Sequence, residues 1–131
     1  MVKDIFINLA VKDLNKSIAF FTQLGFTFNP QFTDETATCM ILGEHIYAML
    51  LTEEKFKSFT TKKLVDAKAQ VEVLTCLGVD SREKVDELVA TAIASGGSTS
   101  STAQDHGFMY WHSFEDLDGH TWELTAMVTD A

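Results

Sequence analysis

The sequence has little cysteine, little proline and no long hydrophobic run. Its 131 residues include two cysteines and one proline. No apolar run approaches the roughly 20 residues that a membrane-spanning helix needs, so we expect no membrane partner. Two cysteines without a recognisable signal peptide do not make a disulfide framework. We therefore expect Cys39 and Cys76 to be buried thiols of a protein in the reducing cytoplasm.

Positive charge is also scarce. Ten lysine and arginine residues stand against nineteen aspartate and glutamate residues, which gives a formal net charge of -9. A nucleic-acid-binding protein carries a basic stripe or patch that neutralises phosphates, and none is visible in this sequence. We therefore expect no nucleic-acid partner, and the acidity would mildly repel anionic small molecules.

The hydrophobic pattern of the first half predicts a strand, a helix and three further strands. Apolar residues fill both faces of "DIFINLAV", recur at helical spacing from Leu14 to Leu24, and return in the runs "FTFNPQF", "TATCMILG" and "HIYAMLLT". Asp13 is suited to cap the start of the helix, and Gly25 is suited to end it.

The second half repeats this order, which predicts an α+β fold built from two βαβββ modules. "VEVLTCLGV" is a predicted strand, "DSREKVDELVATAIASGG" a helix, and "STSSTAQ", "FMYWHSF" and "TWELTAM" three more strands. We expect one domain with a first module at 3–52, a linker with a short helix at 53–69, and a second module at 70–128. One helix covers one face of each sheet, so pairing the modules would leave a curved mixed sheet around a cup.

Two stretches, "LAVKDLNKSIAFFTQLGF" and "FEDLDGHTWEL", give the sequence a family resemblance. It resembles the glyoxalase/bleomycin-resistance/extradiol-dioxygenase (vicinal oxygen chelate) superfamily. It is most similar to a bacterial subgroup described as predicted lactoylglutathione lyases. The resemblance implies the glyoxalase-like fold and, in metal-dependent members, a divalent metal held by two His and one or two Glu residues.

Only one position of that implied ligand set carries a metal-binding side chain here. Glu123 in "DGHTWEL" matches the last ligand, whereas Phe6, Met49 and Leu74 stand where the resemblance implies the others, with Glu72 as the nearest polar alternative to Leu74. Most catalytic metal sites need at least three protein ligands with imidazole, thiolate or oxygen donors. We therefore expect the standard site to be absent and a divalent metal to bind only through a non-standard set that includes Glu123. The three apolar residues would instead line the cup.

The segment "DLDG" has two readings. Asp-x-Asp-Gly occurs in calcium loops, but an EF-hand loop needs a Glu six residues after the Gly, where this sequence has Thr125. Asp118-Gly119 is a strong hairpin signal between two predicted strands. The sequence therefore predicts a turn here.

A histidine near this turn is the second candidate catalytic residue. If residues 116–119 form the loop, His112 and Glu123 lie opposite each other or within a residue or two. A carboxylate beside an imidazole raises its pKa toward neutrality, which would make the pair an acid/base dyad. Alternatively, Glu123 is a polar residue of a solvated cleft, and His112 fills a position without a catalytic role.

The remaining candidates would contact a ligand. Asn8 shares a strand face with Phe6, and its amide either binds substrate or holds a neighbouring strand. Tyr110, Trp111 and Phe108 form an aromatic cluster that either packs in the core or stacks on a planar ligand.

Together these features predict a protein that binds a small, partly apolar molecule in its cup without the standard metal site. One alternative is a lactoylglutathione-lyase-like or dioxygenase-like enzyme with a non-standard ligand set, and a second is an assembly or regulatory module. We also expect a homodimer, because proteins of the superfamily often complete their cups at subunit contacts.

Overall fold

The computed structural model describes residues 1–127 and divides the chain into two compact units. Unit 1 is Met1–Val65, and unit 2 begins at Asp66. The module limits expected from the sequence, 3–52 and 70–128 with a linker at 53–69, remain a prediction, and Val128 lies outside the described residues.

Unit 1 has the predicted order of one strand, one helix and three strands. Its sheet has the order β1-β4-β3-β2, with β1 parallel to β4 and the other neighbours antiparallel. The predicted short helix after the last strand is also present. The elements are β1 (Ile5–Val11), α1 (Leu14–Gln23), β2 (Thr27–Asn29), a 3-10 turn (Pro30–Phe32), β3 (Ala37–Gly43), β4 (Ile46–Thr52) and α2 (Glu53–Lys57).

Local chemistry fixes the limits of α1. The Asp13 carboxylate accepts a hydrogen bond from the Lys16 backbone amide at 3.1 Å, as predicted for an N-cap. Gly25 follows the helix at φ +98°, a conformation that other residues rarely adopt. The buried face of α1 covers one face of the sheet with Phe20 and Phe21, and the C-cap residue Leu24 continues it; each is no more than 5% exposed.

Unit 2 repeats the architecture of unit 1. Its sheet has the order β5-β8-β7-β6, with β5 parallel to β8, so each unit contains a mixed four-stranded sheet. The α+β fold of two βαβββ modules is therefore confirmed. The elements are β5 (Thr75–Gly78), α3 (Arg82–Ala94), β6 (Gln104–Asp105), β7 (Met109–Glu115) and β8 (Thr121–Met127).

Two predicted strands of unit 2 are much shorter than expected. "VEVLTCLGV" is a strand only over Thr75–Gly78, because its partner β8 begins at Thr121 and Thr75 is already opposite Trp122. "STSSTAQ" contributes only its last residue to β6. Its hydroxyl groups bond elsewhere: Thr99 Oγ1 donates to the Ser113 carbonyl oxygen at 2.8 Å.

The prediction of two buried thiols is half wrong. Cys39 is buried in the sheet of unit 1, and burial raises the pKa of its thiol. Cys76 is exposed, because it lies on β5, the terminal strand of its sheet. Of the helices within residues 1–127, none has the length and hydropathy needed to cross a membrane.

Candidate functional site

Each sheet has one face covered by a helix of its own unit and, within residues 1–127, a second face without a helix. On β8, Trp122 and Leu124 are almost completely buried on the helix side, whereas Glu123 between them is half-buried and points to the other side. The strand register extends this second face across the sheet. We call it the open face of unit 2 and define it by Cys76, Trp111, Ser113, Glu123 and Thr125.

Glu123 lies in the middle of this open face. On one side it is in register with Ser113 of β7, and on the other with Cys76 of β5. The residue is half-buried, and its carboxylate has no hydrogen bond or ion pair with any residue in the described part of the chain. The carboxylate oxygens are therefore available to accept hydrogen bonds from a ligand.

Polar side chains share this face with Glu123. Ser113 is only 7% exposed, and its Oγ lies 2.8 Å from Ser101 Oγ. On the other side of β8, the Cys76 thiol lies 3.8 Å from Thr125 Oγ1. The open face of unit 2 therefore presents a row of polar groups with an acceptor-only side chain, Glu123, at its centre.

Trp111 adds an aromatic surface to the same face. It pairs with Thr125 across the strands, which makes Glu123 a diagonal neighbour within reach of its large side chain. The indole is half-buried, and its N–H has no hydrogen-bond partner within residues 1–127. One face thus combines an aromatic ring, an unpaired donor and an unpaired carboxylate.

The predicted His112–Glu123 dyad is wrong. The register places Ser113 opposite Glu123 and His112 opposite Leu124, so the imidazole and the carboxylate belong to opposite faces of the sheet. His112 Nε2 instead lies 3.2 Å from the Ser101 carbonyl oxygen. The loop is one residue longer than predicted, because it closes through a hydrogen bond from the Asp116 amide to the His120 carbonyl oxygen.

A buried carboxylate explains this turn. Asp116 is 6% exposed and accepts hydrogen bonds from Trp122 Nε1 and from the backbone amides of Asp118 and His120, each at 3.0 Å. Burial raises the pKa of Asp116, while the nearby His120 acts in the opposite direction. Gly119 adopts φ +90° in the same turn. The turn interpretation of "DLDG" is therefore confirmed.

Tyr110 does not form an aromatic cluster with Trp111. It lies on the helix side, where its hydroxyl donates a hydrogen bond to Asp86 of α3 at 2.6 Å. This bond raises the pKa of Tyr110. The Arg82 guanidinium lies over the ring at 5.4 Å from its centroid. Phe108 is 60% exposed and precedes β7, so it is outside the strand. Of the two residues within β7, only Trp111 lies on the open face.

The open face of unit 1 has a different chemistry. Phe6 and Asn8 of β1 are in register with Tyr47 and Met49 of β4, which confirms that the first two share a face. The Phe6 and Tyr47 rings stack with centroids 4.8 Å apart and planes inclined by 17°. Phe6 is 50% exposed on β1, the terminal strand of the sheet, so the stack offers apolar surface to solvent.

Asn8 is exposed rather than buried. Its side chain has no hydrogen-bond partner among residues 1–127, so the amide does not hold a neighbouring strand there. Leu74 lies outside β5 and is 53% exposed. The ligand-binding roles predicted for Phe6, Asn8, Met49, Leu74 and Trp111 remain proposals.

Sequence reasoning missed Tyr47, Ser113 and Cys76 as residues of the open faces. A signal for Ser113 was present, because a hairpin centred on Asp118 places residues 113 and 123 opposite each other. Tyr47 and Cys76 could not be placed in the same way, because each belongs to a parallel pair whose register depends on a long connection.

The residues do not fit the divalent metal of the metal-dependent superfamily members. Phe6 and Met49 offer no suitable donor, and Leu74 is apolar and outside the strand. Within residues 1–127, no three side chains among His, Cys, Asp and Glu come together in a way that could hold a metal ion. We therefore assign no chemistry to a metal here.

Comparison with known proteins agrees with this architecture. Residues 4–43 match the family described as bleomycin resistance protein-like N-terminal. No curated protein sequence matches this chain. A hypothetical protein from S. aureus has a similar structure with a TM-score of 0.82 and 28% sequence identity, over 96% of this chain and 94% of that one.

Two further solved structures share the fold at lower sequence identity. A glyoxalase/bleomycin resistance protein/dioxygenase family enzyme from Burkholderia phytofirmans has a TM-score of 0.77 and 18% identity, over 94% of this chain and 97% of that one. A fosfomycin resistance protein from Listeria monocytogenes has a TM-score of 0.71 and 20% identity, over 100% and 96%. The N-terminal match and the shared fold together support the glyoxalase/bleomycin-resistance/dioxygenase superfamily, whereas the narrower lactoylglutathione lyase resemblance is not confirmed.

Proposed function

We propose that this protein binds a small, partly apolar molecule that carries a hydrogen-bond donor or a positive charge. The observation that carries this proposal is Glu123, a half-buried residue whose carboxylate has no partner among the described residues. A ligand N–H, O–H or ammonium group placed against it would supply the missing hydrogen bonds. A charge-assisted hydrogen bond of this kind is about twice as strong as a neutral one.

Charge distribution supports a neutral or cationic ligand. From Asp66 to the end of the sequence there are twelve acidic and three basic residues. Two of the three basic residues have acidic partners: Arg82 pairs with Asp105 at 2.6 Å and Lys84 with Glu87 at 3.4 Å. The potential around the open face of unit 2 therefore disfavours anions.

The apolar part of the ligand has aromatic surface available on each unit considered separately. Trp111 lies beside Glu123 on unit 2, and on unit 1 the exposed Phe6–Tyr47 stack continues into Met49. Planar molecules stack on such rings, and a typical small-molecule site combines apolar surface with a few polar groups.

A pair of dyes tests the proposal. Thioflavin T is planar and cationic, whereas anilinonaphthalene sulfonate is aromatic and anionic. We expect thioflavin T to bind the wild-type protein with at least about tenfold higher affinity, which corresponds to about 1.4 kcal/mol. Glu123→Gln should remove most of this preference. Glu87→Gln, which deletes an equal charge on the helix side, should change it by less than about twofold.

The proposal fails if neither dye binds, or if Glu87→Gln lowers thioflavin T affinity as much as Glu123→Gln does. In the second case the effect belongs to net charge and not to a site. The lyase-like or dioxygenase-like alternative has its own test, which is metal-dependent turnover by the purified protein. A cytoplasmic location is part of the proposal and rests on the two free thiols.

A further inference from the structure

Unit 2 contains a cluster of three hydroxyl groups, which belong to Thr99, Ser101 and Ser113. Ser113 Oγ lies 2.8 Å from Ser101 Oγ, and Ser101 Oγ lies 3.3 Å from Thr99 Oγ1. Ser113 is in register with Glu123 on the neighbouring strand, and the Cβ atoms of such a pair are about 4.5–5.5 Å apart. The cluster therefore reaches the open face of unit 2 through Ser113, next to the Glu123 carboxylate.

The hydrogen atoms of this cluster can be assigned from its acceptors. The Thr99 hydroxyl donates to the Ser113 carbonyl oxygen at 2.8 Å, since a carbonyl oxygen can only accept. Because each hydroxyl has a single hydrogen, both oxygen–oxygen contacts are hydrogen bonds only if Ser101 donates to Thr99 and Ser113 donates to Ser101. This arrangement directs the Ser113 hydrogen into the cluster and leaves the lone pairs of its oxygen as acceptors.

Ser113 Oγ and the Glu123 carboxylate are thus two acceptors on neighbouring strands. Within residues 1–127 no hydrogen bond joins them. A ligand group with several N–H donors could bond to both at once, with each N···O distance at about 2.7–3.2 Å. A protonated primary amine has three such donors, and it also has the positive charge that strengthens a hydrogen bond to a carboxylate.

The burial of Ser113 disfavours bulkier cations. The residue is only 7% exposed, so only a small group such as an N–H can approach its oxygen. A quaternary ammonium group is surrounded by alkyl groups and has no hydrogen to donate. An anion would meet two acceptors within a unit that is rich in acidic residues. The pair therefore fits an ammonium N–H better than either of these groups.

Trp111 indicates where the rest of the ligand would lie. It precedes Ser113 by two positions on β7 and shares its face. Two residues of a strand span about 6.5 Å, which is roughly the distance from an aromatic ring to an ammonium group about two or three carbons away. A ligand of this length can place its ring against the indole while its nitrogen lies between the two acceptors.

We infer that the open face of unit 2 binds a protonated arylalkyl primary amine. Its ammonium group is shared between Glu123 and Ser113 Oγ, and its ring packs on Trp111. The inference deepens the proposed function and rests on it, because Glu123 anchors the ligand in both. It adds Ser113 as a residue that determines specificity, since Ser113 selects a cation with N–H donors over a permanent cation without them.

Two compounds that differ only at the nitrogen test the inference. Tryptamine carries a primary ammonium group near neutral pH, and N,N,N-trimethyltryptammonium has the same ring and charge without an N–H. By titration calorimetry we expect tryptamine to bind the wild-type protein at least about tenfold more tightly. Ser113→Ala should weaken tryptamine binding at least about fivefold and should change the affinity of the trimethyl compound less than about twofold.

Ser101→Ala is the matched control, because it removes a hydroxyl from the same cluster but keeps the Ser113 oxygen. It should change tryptamine affinity less than about twofold. The inference is overturned if Ser113→Ala leaves tryptamine binding unchanged, or if Ser101→Ala weakens it equally. The comparison of the two compounds on the wild-type protein needs no variant, and equal binding or no binding of either compound also overturns the inference.

Thioflavin T distinguishes these outcomes from failure of the proposed function. It is a cation without an N–H, so its binding tests Glu123 and the charge but not the sharing of a donor with Ser113. If thioflavin T binds in a Glu123-dependent manner while the tryptamine results fail, only the inference is wrong. If thioflavin T fails as well, the proposed function falls together with the inference.

Discussion

The two units of this protein share an order of elements but differ in the chemistry of their surfaces. Unit 1 contains seven lysines and seven acidic residues, so its formal charge is zero, and the whole net charge of -9 belongs to the residues from Asp66 onward. The open face of unit 1 carries the Phe6–Tyr47 stack, whereas that of unit 2 carries Glu123 among hydroxyl groups. The regular spacing of apolar residues determines the fold, because those residues form the helix-covered faces. The side chains of the open faces can therefore differ between the units.

The turns of the two units also differ in how they are held. In unit 1, Asp34 accepts hydrogen bonds from Thr36 and Ala37 on an exposed loop, and these bonds lower the pKa of its carboxyl group. In unit 2, Asp116 also accepts hydrogen bonds within its turn, but it is buried, and desolvation raises the pKa of its carboxyl group. The same residue type therefore has its pKa shifted in opposite directions in the two turns. Substitutions made in pairs, one in each unit, measure such differences.

The largest difference should come from one glycine in each unit. Gly119→Ala places a Cβ 2.7 Å from the Lys68 backbone at φ +90°, whereas Gly25→Ala meets nothing within 4 Å at φ +98°. Left-handed strain alone costs about 1–2 kcal/mol, and overpacking adds about 1–3 kcal/mol. We expect urea unfolding to show losses of about 1–2 kcal/mol for Gly25→Ala and about 2–5 kcal/mol for Gly119→Ala. Equal losses would mean that the contact with Lys68 does not constrain the turn.

A smaller difference should separate the two tyrosines. Tyr110→Phe removes the 2.6 Å hydrogen bond to Asp86 and should lower the free energy of unfolding by about 0.5–1.5 kcal/mol. Tyr47→Phe keeps the stack on Phe6 and removes a hydroxyl that has no partner among the described residues, so it should cost less than about 0.5 kcal/mol. Neither variant should change thioflavin T affinity more than about twofold. A strong loss of binding in Tyr110→Phe would contradict its assignment to the helix side.

The smallest effect should be a difference in sign between Asp34 and Asp116. The folded-state pKa of Asp116 is raised, so its stabilising contribution is present below the unfolded value of about 3.9 and is lost as pH rises through the folded value. The folded-state pKa of Asp34 is lowered, so its contribution is present above about 3.9 and is lost as pH falls through the folded value.

Urea midpoints between pH 7 and pH 3 would measure this. Relative to Asp116→Asn, the wild-type protein should gain stability on acidification, and relative to Asp34→Asn it should lose stability. Asp34 accepts its hydrogen bonds at Oδ1 alone, which an Asn side chain can replace, whereas Asp116→Asn loses the acceptor for either Trp122 Nε1 or the two backbone amides. That loss does not depend on pH, so the change of each difference with pH reports the titration. If both differences changed in the same direction, burial of Asp116 would not control its titration.

Much of the fold followed from patterns along the chain. Helix α1 begins after Asp13 and ends before Gly25 because a side-chain cap and a left-handed residue act within a few positions. The strand limits were less predictable. The predicted strand before Gly78 was too long by Val71 to Leu74, because a strand extends only as far as its partner does, and that partner lies about fifty residues away.

The same distinction between local signals and long-range pairing applies to the site residues. Glu123 was placed on the open side of its strand by local alternation with Trp122 and Leu124, which the structure confirms. The pairing of His112 with Glu123 was wrong, because one added residue in a turn moves a side chain to the opposite face.

The sequence by itself determined the order of strands and helices and the residues that cap the helices, since these depend on residue identity and short-range periodicity. Only the tertiary structure decided that Ser113 and Cys76 flank Glu123, that Tyr110 contacts α3, and that Cys76 is exposed. Those facts depend on register between strands that are distant in sequence, and register is set by the packing of the whole sheet.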